Sequence, residues 1–324
     1  MTRHGLGLAA AIVILIPPGI APAQPQEKRP TIAVFTKSSG NPVARSIRIG
    51  AETAARAEKV LVFNFIPTSA DNTAQQTALA EEALRSKPDA VVFTPTDPKA
   101  LAPIVAKFAA AGIPVINVND RIPGAKVTAY VGSDDQAIAR DTARALLKAM
   151  NGKGTVVILE GPPKVASSQA RTRGFQEALK EFPGVKVLAS QTGQYARKPA
   201  ADAVNAMIRK FPQFDGVLAA NDPMALGALD ALGPNSRKAL VVGINASRDA
   251  VDLIKSGMMV ASGDFNGFIE GCVAAQIAIR AIRKQSAPTE AILRTIVVDK
   301  SNTAEYELPV EKRKCPPLEQ AVGG

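Results

Sequence analysis

The sequence predicts an α/β protein of two doubly wound parallel-sheet lobes joined by a multi-segment hinge, and three observations carry that expectation. Short aliphatic and β-branched runs, the mark of strands buried on both faces, alternate with segments of helical period. The alternation passes through four strands and then restarts with no long linker. Two of the runs stop abruptly in polar clusters: Val115-Ile116-Asn117-Val118 leads into Asn119-Asp120-Arg121, and Val217-Leu218-Ala219-Ala220 into Asn221-Asp222. In open α/β sheets ligands bind just beyond the carboxyl ends of the strands. Two such ends about a hundred residues apart suggest two lobes facing each other across one polar cleft.

Residues 1–23 stand apart. Arg3 gives a positive start, Leu6 to Ile16 form an apolar stretch broken only by Gly7, and Ala21-Pro22-Ala23 is a small-x-small site. This reads as a secretory signal peptide. The competing reading, a membrane anchor, meets a stretch shorter than the span of about 20 residues a bilayer needs. No other segment is long and apolar enough, so an exported protein that is not membrane-embedded is expected. Gln24 to Pro30 is a polar tether.

The regular elements follow in order. Thr31–Phe35 reads as a strand, and Val43–Lys59 as a helix with Ile47, Ala51, Ala54 and Ala55 on one face. Val60–Ile66 is a strand, Ala74–Ser86 a helix stopped by Pro88, and Ala90–Thr94 a strand. Lys99–Ala111 is a helix ended by Gly112, and Pro114–Asn119 a strand. In the second set Asp134-Asp135 caps a helix over 136–150, and Asn151-Gly152-Lys153-Gly154 turns into the strand Thr155–Glu160. Ser167-Ser168 caps a helix over 169–182, followed by the strand Val185–Ser190 and the helix Pro199–Phe211. The strand Gly216–Ala220, the helix Met224–Leu232, the strand Leu240–Asn245 and the helix Arg248–Ser256 come next. A strand near Val260–Asp264, a long helix Phe268–Lys284 and a strand Thr295–Asp299 close the pattern, before a proline-rich polar tail with no clear structure. The unit count leaves the long helix without a place beside the second set. Its return to the first lobe would make a hinge of several parallel segments, which permits closure about a ligand and restrains twisting.

Composition removes several function classes. With 46% apolar residues the chain can fill one or two cores; it has no Trp and only 4% aromatics, so Ala, Val, Ile and Leu are expected to fill them. His4, the single histidine, lies in the leader, so the mature chain lacks imidazole for acid–base catalysis, metal ligation or a Ser-His-Asp triad. No cofactor or metal is expected. Cys272 and Cys315 form no CxxC; export would permit them to pair, and a small buried hydrophobe is the other reading of Cys272. The net charge is +10, about +9 without Arg3 of the leader, with bases scattered among acids rather than in a basic arm. A solvated basic exterior is expected, with no nucleic-acid partner.

The groups after the strands are Asn, Asp and Arg, with one Tyr and one Phe. They include Lys37 to Pro42, Asn119-Asp120-Arg121, Glu160, Gln191 to Tyr195, Asn221-Asp222, Asn245 and Asp264-Phe265-Asn266, with Arg171 early on a helix. Amides donate and accept, carboxylates accept and guanidinium donates, a mixture that suits vicinal hydroxyl groups. Each has a duller alternative. Asp222 reads as a helix cap as readily as a ligand contact, and Asn221, one residue earlier, less so. Arg121 has Asp120 as a local partner, Tyr195 could be a lone surface aromatic, Asn245 a turn residue, and Thr96-Asp97 a cap. Enzyme signatures fail one by one: Gly152-Lys153-Gly154-Thr155 precedes a strand and lacks P-loop spacing, and no GxGxxG or GxSxG is present. A carboxylate hydrolase using Asp120 with Asp264 or Asp222 has nothing beyond the residues themselves to support it.

From Thr31 to Asp299 the chain resembles the type I periplasmic binding proteins of ABC sugar importers, the ribose-binding branch in particular. The resemblance rests on Ser39-Gly40-Asn41-Pro42, Gly112-Ile113-Pro114-Val115-Ile116 through Asp120-Arg121, Arg171-Thr172-Arg173-Gly174-Phe175, and Asn221-Asp222-Pro223-Met224-Ala225-Leu226-Gly227-Ala228-Leu229. It implies ligand-binding roles for Asn41, Asp120, Arg121, Arg171, Asn221 and Asn245, ring stacking for Tyr195, and a polar residue at the last crossover. Asp264 is chosen for that place, although an ungapped reading puts Phe265 there. Val43 and Ala44 depart from the family, which carries ring-stacking aromatics after the proline; one face of the clamp is missing, pointing to a smaller or linear polyol or a non-sugar. The implied organisation is a signal peptide (1–23), an N-terminal lobe (31–132 plus 266–294), a C-terminal lobe (133–265 plus 295–310) and a polar tail (311–324). The expected function is a periplasmic, monomeric, non-enzymatic solute-binding protein that delivers a sugar or polyol to an ABC transporter permease. The alternatives are a sensor presenting its ligand to a membrane histidine kinase or chemoreceptor, the hydrolase above, and a lac-repressor-type regulator, whose N-terminal DNA-binding position the leader occupies. Asp120→Ala or Arg171→Ala is expected to weaken binding at least tenfold and leave the fold intact.

Overall fold

Two six-stranded sheets carry the fold, and the chain passes between them several times. In the computed structural model residues 1–2, 29–69, 72–233 and 239–322 are described; beyond its first two residues the signal-peptide reading lies outside them. Among the described residues no helix is long and apolar enough to cross a membrane.

The first run is β1 (Thr31–Phe35), α1 (Pro42–Ala57), β2 (Leu61–Phe65), α2 (Thr73–Ser86), β3 (Ala90–Phe93), α3 (Pro98–Ala110), β4 (Val115–Val118) and β5 (Ala129–Ser133). The second is α4 (Asp135–Ala149), β6 (Lys153–Glu160), α5 (Ala166–Glu181), β7 (Gly184–Thr192), α6 (Arg197–Lys210), β8 (Gly216–Ala219), α7 (Asp222–Leu232), β9 (Leu240–Ile244), α8 (Arg248–Ser256) and β10 (Ala261–Asp264). Then come α9 (Gly267–Ile282), β11 (Glu290–Leu293), β12 (Ile296–Val298) and a short α10 (Leu318–Val322). The first sheet has the order β11-β5-β4-β3-β1-β2, all parallel. The second is β12-β10-β9-β8-β6-β7, with β12 antiparallel to β10. In each sheet the first strand of the set lies between the second and third, which makes a switch point at its carboxyl end.

Two strands escape sequence reading, β5 and β11. Each is short, and they pair with each other, Tyr130 opposite Glu290, so their register is set by a contact no local pattern announces. The start of α5 also differs from expectation. It begins at Ala166 behind Val165 with no side-chain cap, so Ser167 and Ser168 fall inside its first turn. The caps at Asp97 and Asp134 form as read, each carboxylate accepting two backbone N–H groups.

Strand alternation divides the core of the first lobe between the two faces of its sheet. Ile32 and Val34 face a cluster built with α1 and α9, while Ala33 and Phe35 face α2 and α3. Several of the few aromatics gather in one place. Phe35 meets Phe65, Phe93 and Phe108 at ring-centroid distances of 4.9, 4.7 and 6.2 Å on the second face. Where α9 packs on α1 the backbones nearly touch: a Cβ on Gly271 would lie 1.9 Å from Ile47 O, and one on Gly50 2.0 Å from Phe268 O. Only glycine fits there, and this fit seats α9 on the first lobe.

The chain crosses between the sheets after β5, after β10 and between β11 and β12. A fourth passage lies in the tail expected to have no clear structure. A 3-10 turn at Thr303–Tyr306 packs on α8 of the second lobe, a second at Val310–Lys312 packs on α1, and α10 packs on α9 and β11. Cys272 and Cys315 are joined in a disulfide, which fastens this strap to α9. Glu307 pairs with Lys255 on the second lobe at 2.9 Å, and Glu311 pairs with Arg45 on the first. The sequence shows only scattered prolines and charges here; the order comes from these distant partners.

Candidate functional site

The second-lobe wall is organised around Arg171, which α5 presents almost fully buried. Its Nε donates to Asp135 Oδ1 at 2.7 Å and its terminal nitrogen to Ala220 O, beyond β8, at 2.8 Å. The guanidinium lies 5.6 Å from the Tyr195 ring centroid and 5.3 Å from that of Phe265. Burial opposes the charge of Arg171, but the adjoining Asp135 carboxylate more than offsets this, and the group is held protonated. Tyr195 is not a lone surface aromatic. Its ring covers Gly161, where a Cβ would come within 2.4 Å of it, and its hydroxyl pairs with Ser167 Oγ at 3.2 Å. Burial pushes the Tyr195 phenol up.

Asn221 is the cap of α7: its Oδ1 accepts from Met224 N at 2.9 Å and its Nδ2 donates to Tyr195 O at 3.0 Å. The sequence reading gave the capping role preferentially to Asp222, and the structure reverses this. Asp222 is fully buried and takes Ser262 Oγ at 2.6 Å and Ser247 N at 2.7 Å. Burial raises its carboxyl to about 6 despite those donors. Each polar atom of Asn221 keeps one further hydrogen-bonding position.

The first-lobe wall is Asp120, aimed by the loop that leaves β4. Asn117 holds that loop, accepting from Ile122 N at 2.9 Å and donating to Asp120 O at 3.0 Å. The Asp120 side chain is 7% exposed and ion-pairs with Lys37, beyond β1, rather than with Arg121. Arg121 turns away, pairing with Glu290 while its guanidinium sits 3.7 Å over the Tyr130 ring; at 56% exposure it does not join Asp120. Asp120 is nonetheless close enough to Arg171 and Tyr195 to act on the ionisation of both. The Asp120 charge of the first lobe thus lies within electrostatic range of the Arg171 and Tyr195 groups of the second.

Phe265, whose ring faces Arg171, also lines a cavity of about 780 Å³, with Asn41, Pro42 and Val43 in its first-lobe lining and Asn245 and Ala246 in its second-lobe lining. Asp264 and Phe265 close the hinge side, and the tail from 305 to 314 forms the remaining wall. Asn41 caps α1, its Oδ1 accepting from Val43 N and Ala44 N, which leaves its Nδ2 toward the cavity side without a protein acceptor among the described residues. Asn245 has a strained backbone, φ 131°, and its carboxamide has no partner among the described residues. Asp264 is different: Oδ1 takes Asn266 N at 2.7 Å and Oδ2 the Tyr306 hydroxyl at 2.9 Å, so both oxygens are engaged in holding the hinge. The Phe265 ring, not the Asp264 carboxylate, faces Arg171. Val43 packs against the cores of both lobes, so an aliphatic side chain bridges the lobes where the resembled family carries an aromatic.

Sequence reading missed Lys37 and Asp135 as partners in the site, and Glu270 altogether. The Asp134-Asp135 doublet was the available signal: one carboxylate caps α4 and the other is left for Arg171. Glu270 is an acid in an apolar helix start, fully buried. Two cations, Lys37 and Arg171, are each matched by a carboxylate, Asp120 and Asp135. These two cations thus offer directional donors beside matching acceptors, a setting for a hydroxylated guest. The hydrolase pairing finds no support, since both Asp222 and Asp264 are occupied by protein donors. Among the described residues no cluster of His, Cys, Asp and Glu could hold a metal ion.

Comparison with known proteins agrees with this geometry. The periplasmic binding protein domain matches residues 32–286. The xylitol-binding protein of Mycolicibacterium smegmatis is 30% identical over 316 residues, covering 96% of this chain and 87% of that protein. The D-ribose/D-allose-binding protein of Pseudomonas aeruginosa is 31% identical over 301 residues, covering 87% and 93%. A crystal structure of an ABC transporter periplasmic solute binding protein from Actinobacillus succinogenes with bound D-allose superimposes with a TM-score of 0.82 at 31% identity, over 86% of this chain and 100% of that one. Two matched sheets, a repeatedly crossed hinge and these similarities lead to one conclusion: the chain belongs to the periplasmic binding protein family.

Proposed function

We propose that this protein is a periplasmic solute-binding protein that encloses an uncharged sugar or polyol between its lobes and hands it to an ABC transporter permease. The observation that carries the reading is one cavity lined by Asn41 of the first lobe and Asn245 of the second, with Phe265 in its wall against Arg171 and Asp120 within electrostatic range of Arg171 and Tyr195. Asp120 accepts and Arg171 donates, each in a charge-assisted bond worth about 1.5–3 kcal/mol. The amides donate and accept for the remaining hydroxyls, and the Tyr195 and Phe265 rings supply apolar faces. Micromolar affinity needs only about −8 kcal/mol net. A ligand that contacts both walls stabilises the closed state over the open one, so binding shifts the population toward closure.

Small linear polyols and compact sugars fit best, because Val43 offers no ring to stack on the second face of a larger sugar. The xylitol and allose relatives point the same way. The protein acts as a monomer, as a carrier rather than an enzyme, and outside the cytoplasm. Arg121, exposed on the rim beside Glu290, serves the lobe surface in this reading and not the guest. A thermal-shift screen against pentoses, hexoses, alditols and small non-sugars, followed by calorimetry, tests it. A specific polyol or sugar should raise the melting midpoint by mass action. Stabilisation by a charged non-sugar alone would sink the reading.

A further inference from the structure

We propose that Glu270 acts as a neutral acid that ties two of the hinge crossovers together and thereby positions Phe265 against Arg171. The argument begins with one hydroxyl. Ser133, at the end of β5 where the chain leaves the first lobe, donates its Oγ–H to Phe265 O at 2.6 Å. Phe265 is at the next crossover, between β10 and α9. Ser133 Oγ also lies 3.2 Å from Glu270 Oε1. A serine hydroxyl has one proton, and a carbonyl oxygen only accepts. With that proton committed to Phe265, the contact with Glu270 is a hydrogen bond only when Glu270 donates it. The carboxyl must then be protonated.

The surroundings agree. Glu270 is fully buried on the first turn of α9, and its Oε2 has no hydrogen-bond partner among the described residues. An ionised carboxylate with one orphaned oxygen would bear a heavy desolvation penalty, whereas the neutral acid bears a small one. The groups that face it are Asp135 from α4, Asp120 from the loop after β4, Tyr130 and Ser133 from β5, and the Asn119 carboxamide. Asp120 and Asp135 both disfavour a further negative charge. The α9 N-terminus and Asn119 favour one, but burial outweighs them, and the Glu270 carboxyl is raised well above the usual range. Ionisation would turn the Ser133 proton from the carbonyl to the carboxylate and undo the link between the crossovers. It would also leave the cleft with an unmatched negative charge.

The decisive experiment needs no ligand. The carboxyl 13C spectrum of the wild-type protein labelled at glutamate is expected to keep one resonance at the protonated position at pH 7. Urea unfolding of wild type and Glu270→Gln from pH 5 to 8 gives the second readout. Gln retains an N–H donor toward Ser133 and cannot ionise. Because the folded state holds the Glu270 proton and the unfolded chain releases it, wild-type stability falls as pH rises. The ratio of wild-type to Glu270→Gln folding constants should drop about tenfold per pH unit. A flat ratio, or a wild-type spectrum with every glutamate ionised at pH 7, overturns the proposal. The positioning role rests on the ligand reading given above and is read with xylitol and D-allose as probes. Glu270→Gln should bind within threefold of wild type and Glu270→Ala about tenfold more weakly; equal affinity in both variants refutes positioning. If neither probe binds wild type, the polyol reading is what fails, and the spectrum and stability ratio still decide the state of Glu270.

Discussion

Replacing Arg171 by Met keeps the length and apolar stem of the side chain and removes its charge. Two effects follow, and they can be separated. The first is on the protein itself. Arg171 is 5% exposed, and its loss leaves Asp135 without its 2.7 Å partner and Ala220 O without a donor. Breaking a buried ion pair by removing one member costs about 3–5 kcal/mol. Asp135 is 23% exposed, so water recovers part of this and the lower end, about 3 kcal/mol, applies. The second effect is on binding. One lost charge-assisted bond to a hydroxyl costs about 1.5–3 kcal/mol, roughly a 10- to 150-fold weaker complex. Urea unfolding of the unliganded protein measures the first, and calorimetry with the best ligand of the screen measures the second. Asp135→Asn should recover much of the stability in the double variant, since it removes the stranded charge, while binding stays weak. A single variant within about 0.5 kcal/mol of wild-type stability would refute the buried-pair argument. Unchanged affinity would remove Arg171 from the site. The expectation from sequence, that losing Arg171 leaves the fold untouched, is revised by its burial.

Asn245→Ala is the counterpart, because its carboxamide has no partner among the described residues: affinity should fall about tenfold with the urea midpoint unchanged, and a stability loss without a binding loss would reverse its assignment. Cys315→Ser opens a loop between positions 43 apart, and chain entropy alone puts the cost near 4 kcal/mol. Reductant should destabilise wild type and not the variant, and a wild type indifferent to reductant would show the strap to be held by other contacts. The Asp222 carboxyl should titrate near about 6, against about 4 in the unfolded chain. Its stability contribution is therefore complete below pH ~4 and is lost as pH rises to ~6, about 3 kcal/mol in all. Carboxyl 13C titration measures this, and a midpoint under about 4.5 would contradict it.

Local pattern alone determined the two-set α/β architecture, because buried parallel strands and amphipathic helices write their burial into successive residues. It also singled out Asp120, Arg171, Tyr195 and Asn245 as candidates, since strand ends and loop chemistry are read in sequence. Tertiary contact decided the rest. Strand β5 forms between β4 and β11, and β11 by pairing with β5, while the tail is ordered by Cys272, Arg45 and Lys255, all distant in the chain. Asn221 caps α7, both oxygens of Asp264 take protein donors, and Arg121 turns outward to Glu290. Sequence supplies which groups can bond, but which bonds they make depends on neighbours that only folding brings within 3 Å or so.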